Sequence, residues 1–193
     1  MDEKKIKTSI IESFRYRIVF TEGNYENWNE AIERAPYIPV EYISTSLRYQ
    51  NGYIRCFYDR VLDLSLIVYD QRGSVCLWPL TLVLNEGEYR LCTNEKEILP
   101  PLFVGDVTEK VKNTVIADCL RALLSVKKCL DEDFIDDRLQ KDIFIWQTRC
   151  SLLSDIKHNG IDYWYIRCKE NGAETDVITD LYVDLDLGLD TIH

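Results

Sequence analysis

Histidine is nearly absent: His158 and His193 are the only two in 193 residues. A metal centre would therefore have to recruit several separated cysteines. None of the seven (Cys56, Cys76, Cys92, Cys119, Cys129, Cys150, Cys168) stands in a CxxC pair, the spacing on which most structural zinc sites rely. Most lie in apolar or alternating stretches such as "VCLW" and "IADCLRAL", where a reduced thiol packs as a small hydrophobe. Long apolar runs are missing too. No stretch approaches the roughly 20 residues of a membrane span, and "MDEKKIKTSIIESF" has neither the apolar run nor the cleavage site of a signal peptide. These absences predict a cytoplasmic chain with no metal and no membrane span. Basic charge is short as well: a formal net charge of -10 opposes the counterion displacement that DNA binding requires. Lys4, Lys5 and Lys7, beside Asp2 and Glu3, read as a solvated N-terminal end. There is no internal repeat and no low-complexity segment.

What remains is the composition of a globular protein, 46% hydrophobic and 29% charged, long enough for one domain or one domain and a fragment of another. "FRYRIVF", residues 14–20, alternates like a strand with one wet face. "GNYENWNEAIERAP" predicts a short helix with Asn24 or Asn27 as cap, Trp28, Ala31 and Ile32 on its apolar face, and Pro36 as its stop. A second helix is expected from Pro39 to the Asn51-Gly52 turn, with Val40, Ile43 and Leu47 inward. "DLSLIVYD", "SVCLWPLTLVLN" and "EYRLCT" read as an antiparallel meander in which Pro79 marks an edge or a bulge. Strand "ILPPLFV" and a helix from about Thr108 to Cys129 follow. Val111, Val115, Cys119 and Leu123 recur every fourth residue there, widened by Ile116, Leu120 and Val126, so this helix should cross the sheet. The acidic stretch 130–142 reads as a loop, "IFIWQTRC" as a strand and "SLLSDIKHNG" as a helix. "DYWYIRCK" and "DVITDLYVDLDL" read as a hairpin. The final "DLGLDTIH" looks like the beginning of another helix.

The strand-to-helix junction "VGDVTEKV" has the local order that nucleotide sites use, with glycines admitting an anion to free helix N–H groups. Only Gly105 lies in the turn. Asp106 and Glu109 stand where they would satisfy those N–H groups and repel a phosphate, and no arginine precedes the turn. The junction reads as self-capped.

The order strand, helix, helix, meander, strand, long helix, strand, helix, hairpin resembles the GNAT acyltransferase fold. Together, "LPPLFV" before the long helix and "DVITDLYVDLDLGLDTIH" near the end resemble the first half of a FemAB-like transferase, a family of two such domains in tandem. The resemblance implies an α+β (α/β) fold, a GNAT-like mixed, mainly antiparallel central sheet flanked by helices. It places a GNAT-like domain at 1–188 and the start of a helix leading to a second domain at 189–193. In that fold acyl-coenzyme A binds in a gap between the fourth and fifth strands. In tandem FemAB-like proteins the first domain is generally the one that has lost this site, in keeping with the junction. The implied whole enzyme moves an acyl or aminoacyl group, from acyl-CoA or aminoacyl-tRNA, to an amine of a cell-envelope peptide or glycan precursor. This domain itself is expected to hold no cofactor and to have little or no catalysis of its own. Its implied partners are a second GNAT-like domain or further copies of itself, and the precursor.

Individual site candidates are few. His158 and Cys150 sit eight residues apart, about 12 Å of rise on a helix, beyond hydrogen-bond reach; His158 is read as complementing a helix C-terminus. Trp78, Trp146, Tyr163, Trp164 and Tyr165 suit a groove for a sugar or peptide, although aromatics in alternating strands are more often core. "IFIWQTRC" would be the fifth strand at the edge of the substrate gap, so Gln147, Arg149, Trp146 and Trp78 are the substrate-binding candidates. Gln147 and Arg149 share one strand face, with Trp146 on the other. Arg149 suits a carboxylate or phosphate, or a surface salt bridge. Asp131, Glu132, Asp133, Asp136 and Asp137 lack the glycine and closing glutamate of an EF-hand and read as a solvated face. Two other readings stand beside the transferase domain: a stand-alone acidic binding module that kept the fold, and a complete single-domain N-acetyltransferase.

Overall fold

The computed structural model describes residues 2–93, 97–133, 144–146 and 163–172. The chain enters through α1 (Glu3–Ser13), β1 (Arg17–Phe20), α2 (Glu26–Ile32), a 3-10 turn at Val40–Tyr42 and α3 (Ser44–Ile54). Five strands follow: β2 (Arg60–Asp63), β3 (Leu66–Asp70), β4 (Gly73–Trp78), β5 (Thr81–Asn85) and β6 (Glu88–Cys92). Then come β7 (Leu102–Phe103), α4 (Glu109–Asp133), β8 (Phe144–Trp146) and α5 (Tyr163–Glu170).

Residues 60–85 form one long hairpin bent at its middle. Asp63 faces Thr81 in the β2–β5 ladder and Leu66 faces Trp78 in the β3–β4 ladder, so one register is carried across the bend, and it shifts only at a bulge between Val68 and Tyr69. At the bend Pro79 has no N–H to donate. The ladder is carried across by the Leu64 N–H, which donates to the Leu80 carbonyl at 2.8 Å. Thr93 Oγ1 donates to the otherwise orphaned Pro79 carbonyl at 2.8 Å, as a buried backbone acceptor requires. Beyond the bend the halves join different sheets, β1-β3-β4-β7 and β2-β5-β6-β8. The expected α+β class with mainly antiparallel strands is what forms, with its strands divided between two sheets. The β6–β8 pair is parallel, with Arg90 opposite Ile145.

Both faces of the first sheet are covered, because residues alternate along each strand. Leu66, Val68 and Trp78 face a core shared with α1, α4 and α5. Ile67 and Leu77 face Trp28, Ala31, Tyr42 and Leu47 on the α2–α3 side. The apolar stripe of α4 packs as its spacing predicts: Val115, Ile116, Cys119, Leu120, Leu123 and Val126 are buried, and Val111 packs partly buried beside them.

Several expectations are corrected. The N-terminal end is helical: Asp2 accepts from the N–H groups of Lys4 and Lys5 as an N-cap, and Ile6 and Ile10 are buried in the α4-side core. The helix expected from Pro39 is broken at Ile43, whose extended backbone separates the 3-10 turn from α3. Leu47 is therefore buried while Val40 and Ile43 are exposed, and Asn51 and Gly52 lie inside α3. "ILPPLFV" contributes only the two-residue β7, paired with Cys76 and Leu77 of β4. The strand expected at "DYWYIRCK" is helix α5, with Trp164 and Cys168 buried one turn apart. The expected acidic loop begins as helix, since α4 runs on to Asp133; its remainder, the "SLLSDIKHNG" helix, the second hairpin strand and the "DLGLDTIH" helix lie outside the described residues.

Helix α4 is fixed to the chain's beginning by a fully buried carboxylate. Asp118 accepts from the Arg15 backbone N–H at 3.0 Å, from Arg15 Nε at 2.9 Å and from Arg121 at 3.0 Å. Arg121 also donates to the Ser13 carbonyl at the end of α1, at 2.7 Å. A buried charge persists only when paired and hydrogen-bonded in this way. Replacing Asp118 with alanine should lower unfolding free energy by about 3 kcal/mol in urea denaturation, and Asp118→Asn, which keeps an acceptor, by less. A loss under about 1 kcal/mol for the alanine variant would mean that the packing alone holds α4.

Candidate functional site

A polar cleft of about 540 Å³ lies where α1, the β1–α2 loop, α3 and the end of β2 meet. The loop makes its turn by placing Glu22 and Gly23 in succession at φ 48° and 83°, a left-handed backbone that is uncommon for a glutamate. That reversal, closed by the Asn24 N–H donating to the Thr21 carbonyl at 2.7 Å, delivers Tyr25 into the cleft. Its ring is buried edge-on against Trp28. Its hydroxyl donates to Asp63 Oδ2 at 2.9 Å, while Asp63 Oδ1 accepts the Ser65 N–H at 2.9 Å. Asp63 is the last residue of β2, so the hairpin bend that follows it also orients its carboxylate.

Helix α3 and its C-terminal cap contribute Arg48, Asn51, Gly52 and Arg55, spaced at one helical face. Asn51 Oδ1 accepts from Thr81 Oγ1 at 3.2 Å, and the Arg48 guanidinium lies 5.3 Å from the Tyr25 ring centroid, a cation–π approach. On the α1 side Lys7 Nζ is 2.7 Å from Glu3 and 2.9 Å from Glu22.

These contacts set the electrostatics. Burial pushes the Tyr25 hydroxyl well above its ordinary value, and the charge of Asp63 and the hydrogen bond to it add to the rise. Burial works against the Lys7 ammonium, but hydrogen bonds and attraction from Glu3 and Glu22 hold its pKa above the ordinary lysine value. The hydrogen bond from Lys7 correspondingly lowers that of Glu22. Thr21 is buried with its Oγ1 lacking a hydrogen-bond partner among the described residues, yet close enough to the Tyr25 hydroxyl to oppose its rise.

The strand-to-helix junction is built differently from its sequence reading. Gly105 adopts φ 73° and donates its N–H to the Arg34 carbonyl at 2.9 Å. Arg34 also brings a guanidinium beside Gly105, so a basic group does reach the turn from elsewhere in the chain. That guanidinium donates to the Ser74 carbonyl at 2.7 Å and to the Ser74 hydroxyl. Asp106 is exposed and makes no side-chain hydrogen bond among the described residues, and Glu109 opens α4. Asp106 is thus not the cap expected of it.

Of the substrate-binding candidates, Trp78 is fully buried, its indole N–H donating to the Leu99 carbonyl at 3.0 Å and its ring edge-on to Trp164. Trp146 ends β8, at the edge of the second sheet. Gln147 and Arg149 lie outside the described residues, as do Cys150 and His158. Tyr165 is exposed on α5. The cleft residues Tyr25, Arg48 and Asp63 were not singled out by sequence. They come from three separate segments, and the one local signal was a glycine inside a helical run, which reads as a stop.

Among known proteins, no family model, no curated protein and no solved structure matches this chain.

The raised Tyr25 pKa has a sign that can be checked. Its folded value lies above the ordinary 10.0, so the stability it contributes is complete below that pH and is lost as pH rises toward the folded value. Tyr25→Phe should cost about 2 kcal/mol at neutral pH through the lost bond to Asp63. That difference should shrink steadily in urea melts above about pH 10. A difference that stayed constant into the alkaline range would mean that the phenol is not held protonated by its surroundings.

Proposed function

We propose that the chain is the N-terminal, non-catalytic GNAT-like domain of a FemAB-like transferase, one that moves an acyl or aminoacyl group to an amine of a cell-envelope peptide or glycan precursor. The observation that carries this reading is the unit β6–α4–β8. A long helix returns the chain so that β8 lies parallel to β6 at the edge of the second sheet, where the resemblance puts the substrate-facing strand. Transfer chemistry needs donors aimed at a developing oxyanion beside an unprotonated amine, and this domain's share is to present a wall to the acceptor. The junction supports a lost cofactor site: the Gly105 N–H is spent on Arg34, and the nearby guanidinium is spent on Ser74.

The rival reading, a stand-alone acidic binding module, is favoured by the cleft at Tyr25 and Asp63, which needs no second domain to be complete.

Titration of the isotopically labelled chain at low salt, followed by amide NMR, tests the proposal. Acetyl-coenzyme A should give no saturable binding at residues 101–112, whereas a nucleotide-linked cell-wall peptide precursor should shift the amides of β8 and of residues 147–149. Micromolar acetyl-coenzyme A binding at 101–112 would restore the single-domain N-acetyltransferase. Precursor binding that spares β8, or its absence, would remove the substrate-facing role.

A further inference from the structure

The cleft between α1, α3 and the end of β2 holds charges of both signs that do not pair with each other. Among the described residues Asp63 receives hydrogen bonds from Tyr25 and Ser65 but pairs with no cation. Among the described residues Arg48 and Arg55 form no ion pair with any carboxylate. Lys7, by contrast, is already neutralised by Glu3 and Glu22. An unpaired carboxylate and unpaired guanidinia facing one cavity is the arrangement that a ligand with opposite charges at its two ends would complete.

Two further observations point the same way. Gly52 lies within α3, where glycine costs up to about 1 kcal/mol relative to alanine. A Cβ there would meet nothing within 4 Å, so packing does not require the glycine; its effect is to lower the cleft wall. The volume of about 540 Å³ lies in the range of small-molecule sites.

We propose that this cleft binds a small zwitterion of the α-amino-acid type, its ammonium against Asp63 and its carboxylate against Arg48 and Arg55. A simple anion would approach against the chain's net charge of -10, whereas a zwitterion carries no net charge and meets no long-range barrier. The Tyr25 ring, already faced by Arg48, forms the apolar floor between the two ends. The site lies at the β2 edge of the second sheet, opposite the β8 edge, so its occupancy is independent of the transferase reading.

The test is calorimetric titration of the chain with free L-amino acids, followed by the N-acetyl and the amide derivative of the tightest one. Saturable binding is expected, weakened roughly tenfold or more when either charge of the ligand is removed. Arg48→Ala combined with Arg55→Ala should weaken binding by a similar factor, as should Asp63→Asn. Gly52→Leu should fill the cleft and abolish binding while leaving the thermal midpoint unchanged or higher, since leucine favours the helix. That variant separates loss of the site from loss of the fold. The proposal fails if no amino acid binds saturably by about 10 mM, if the N-acetyl derivative binds as well as its parent, or if Gly52→Leu binds like the wild type.

Discussion

The bend at Leu64–Ser65 and Pro79–Leu80 is the constraint on which the remainder of the molecule is arranged. Two strands carry one register across the bend yet cannot continue in one sheet, because Pro79 withholds a donor where the ladder would need it. Corners of this kind let a hairpin serve two sheets at once. Here the corner does three things together. It separates the sheets, it leaves a Pro79 carbonyl that Thr93 must satisfy, and it ends β2 at Asp63 with the carboxylate turned back onto its own chain. The polar cleft exists because the framework bends there.

The second organising element is the carboxylate of Asp118. Apolar burial would hold α4 against the sheets in several rotational settings of similar energy, because its stripe is wide. The guanidinia of Arg15 and Arg121, with the Arg15 backbone N–H, admit one setting, in which the end of α1 and the start of β1 are locked to the same turn of α4. Burial supplies the attraction between these layers, and the ion-pair network fixes their registry.

How far the sequence announced this architecture depended on whether a segment's partner was implied by its own pattern. β3, β4, β5 and β6 alternate around clear turn residues, and α4 has a stripe every fourth residue, so both were legible. α1 buries just two apolar side chains, Ile6 and Ile10, too few to stand out among Asp2, Glu3, Lys4, Lys5, Lys7 and Glu12. α5 was misread because Tyr163, Trp164 and Tyr165 have strand-like composition; the spacing of Trp164 and Cys168 acquires meaning only against α4 and Trp78. The site was least legible. Asp63 is a charge at the end of a strand, Arg48 a charge on a helix, and Tyr25 an aromatic before one, and nothing in their separate contexts says that a left-handed loop brings them together.

The distribution of thiols gives the fold a readable clock. Cys76 sits in β4, Cys92 in β6, Cys119 in α4 and Cys168 in α5, all buried, while Cys56 is exposed. Burial pushes the thiols of Cys76 and Cys119 far above their ordinary range, and only a thiolate alkylates readily. Among the described cysteines Cys56 is the exposed one, open to a reagent in the intact protein. Each buried cysteine must wait for its own element to open. The order in which they become modified would trace the sequence in which this molecule comes apart, with no label introduced from outside.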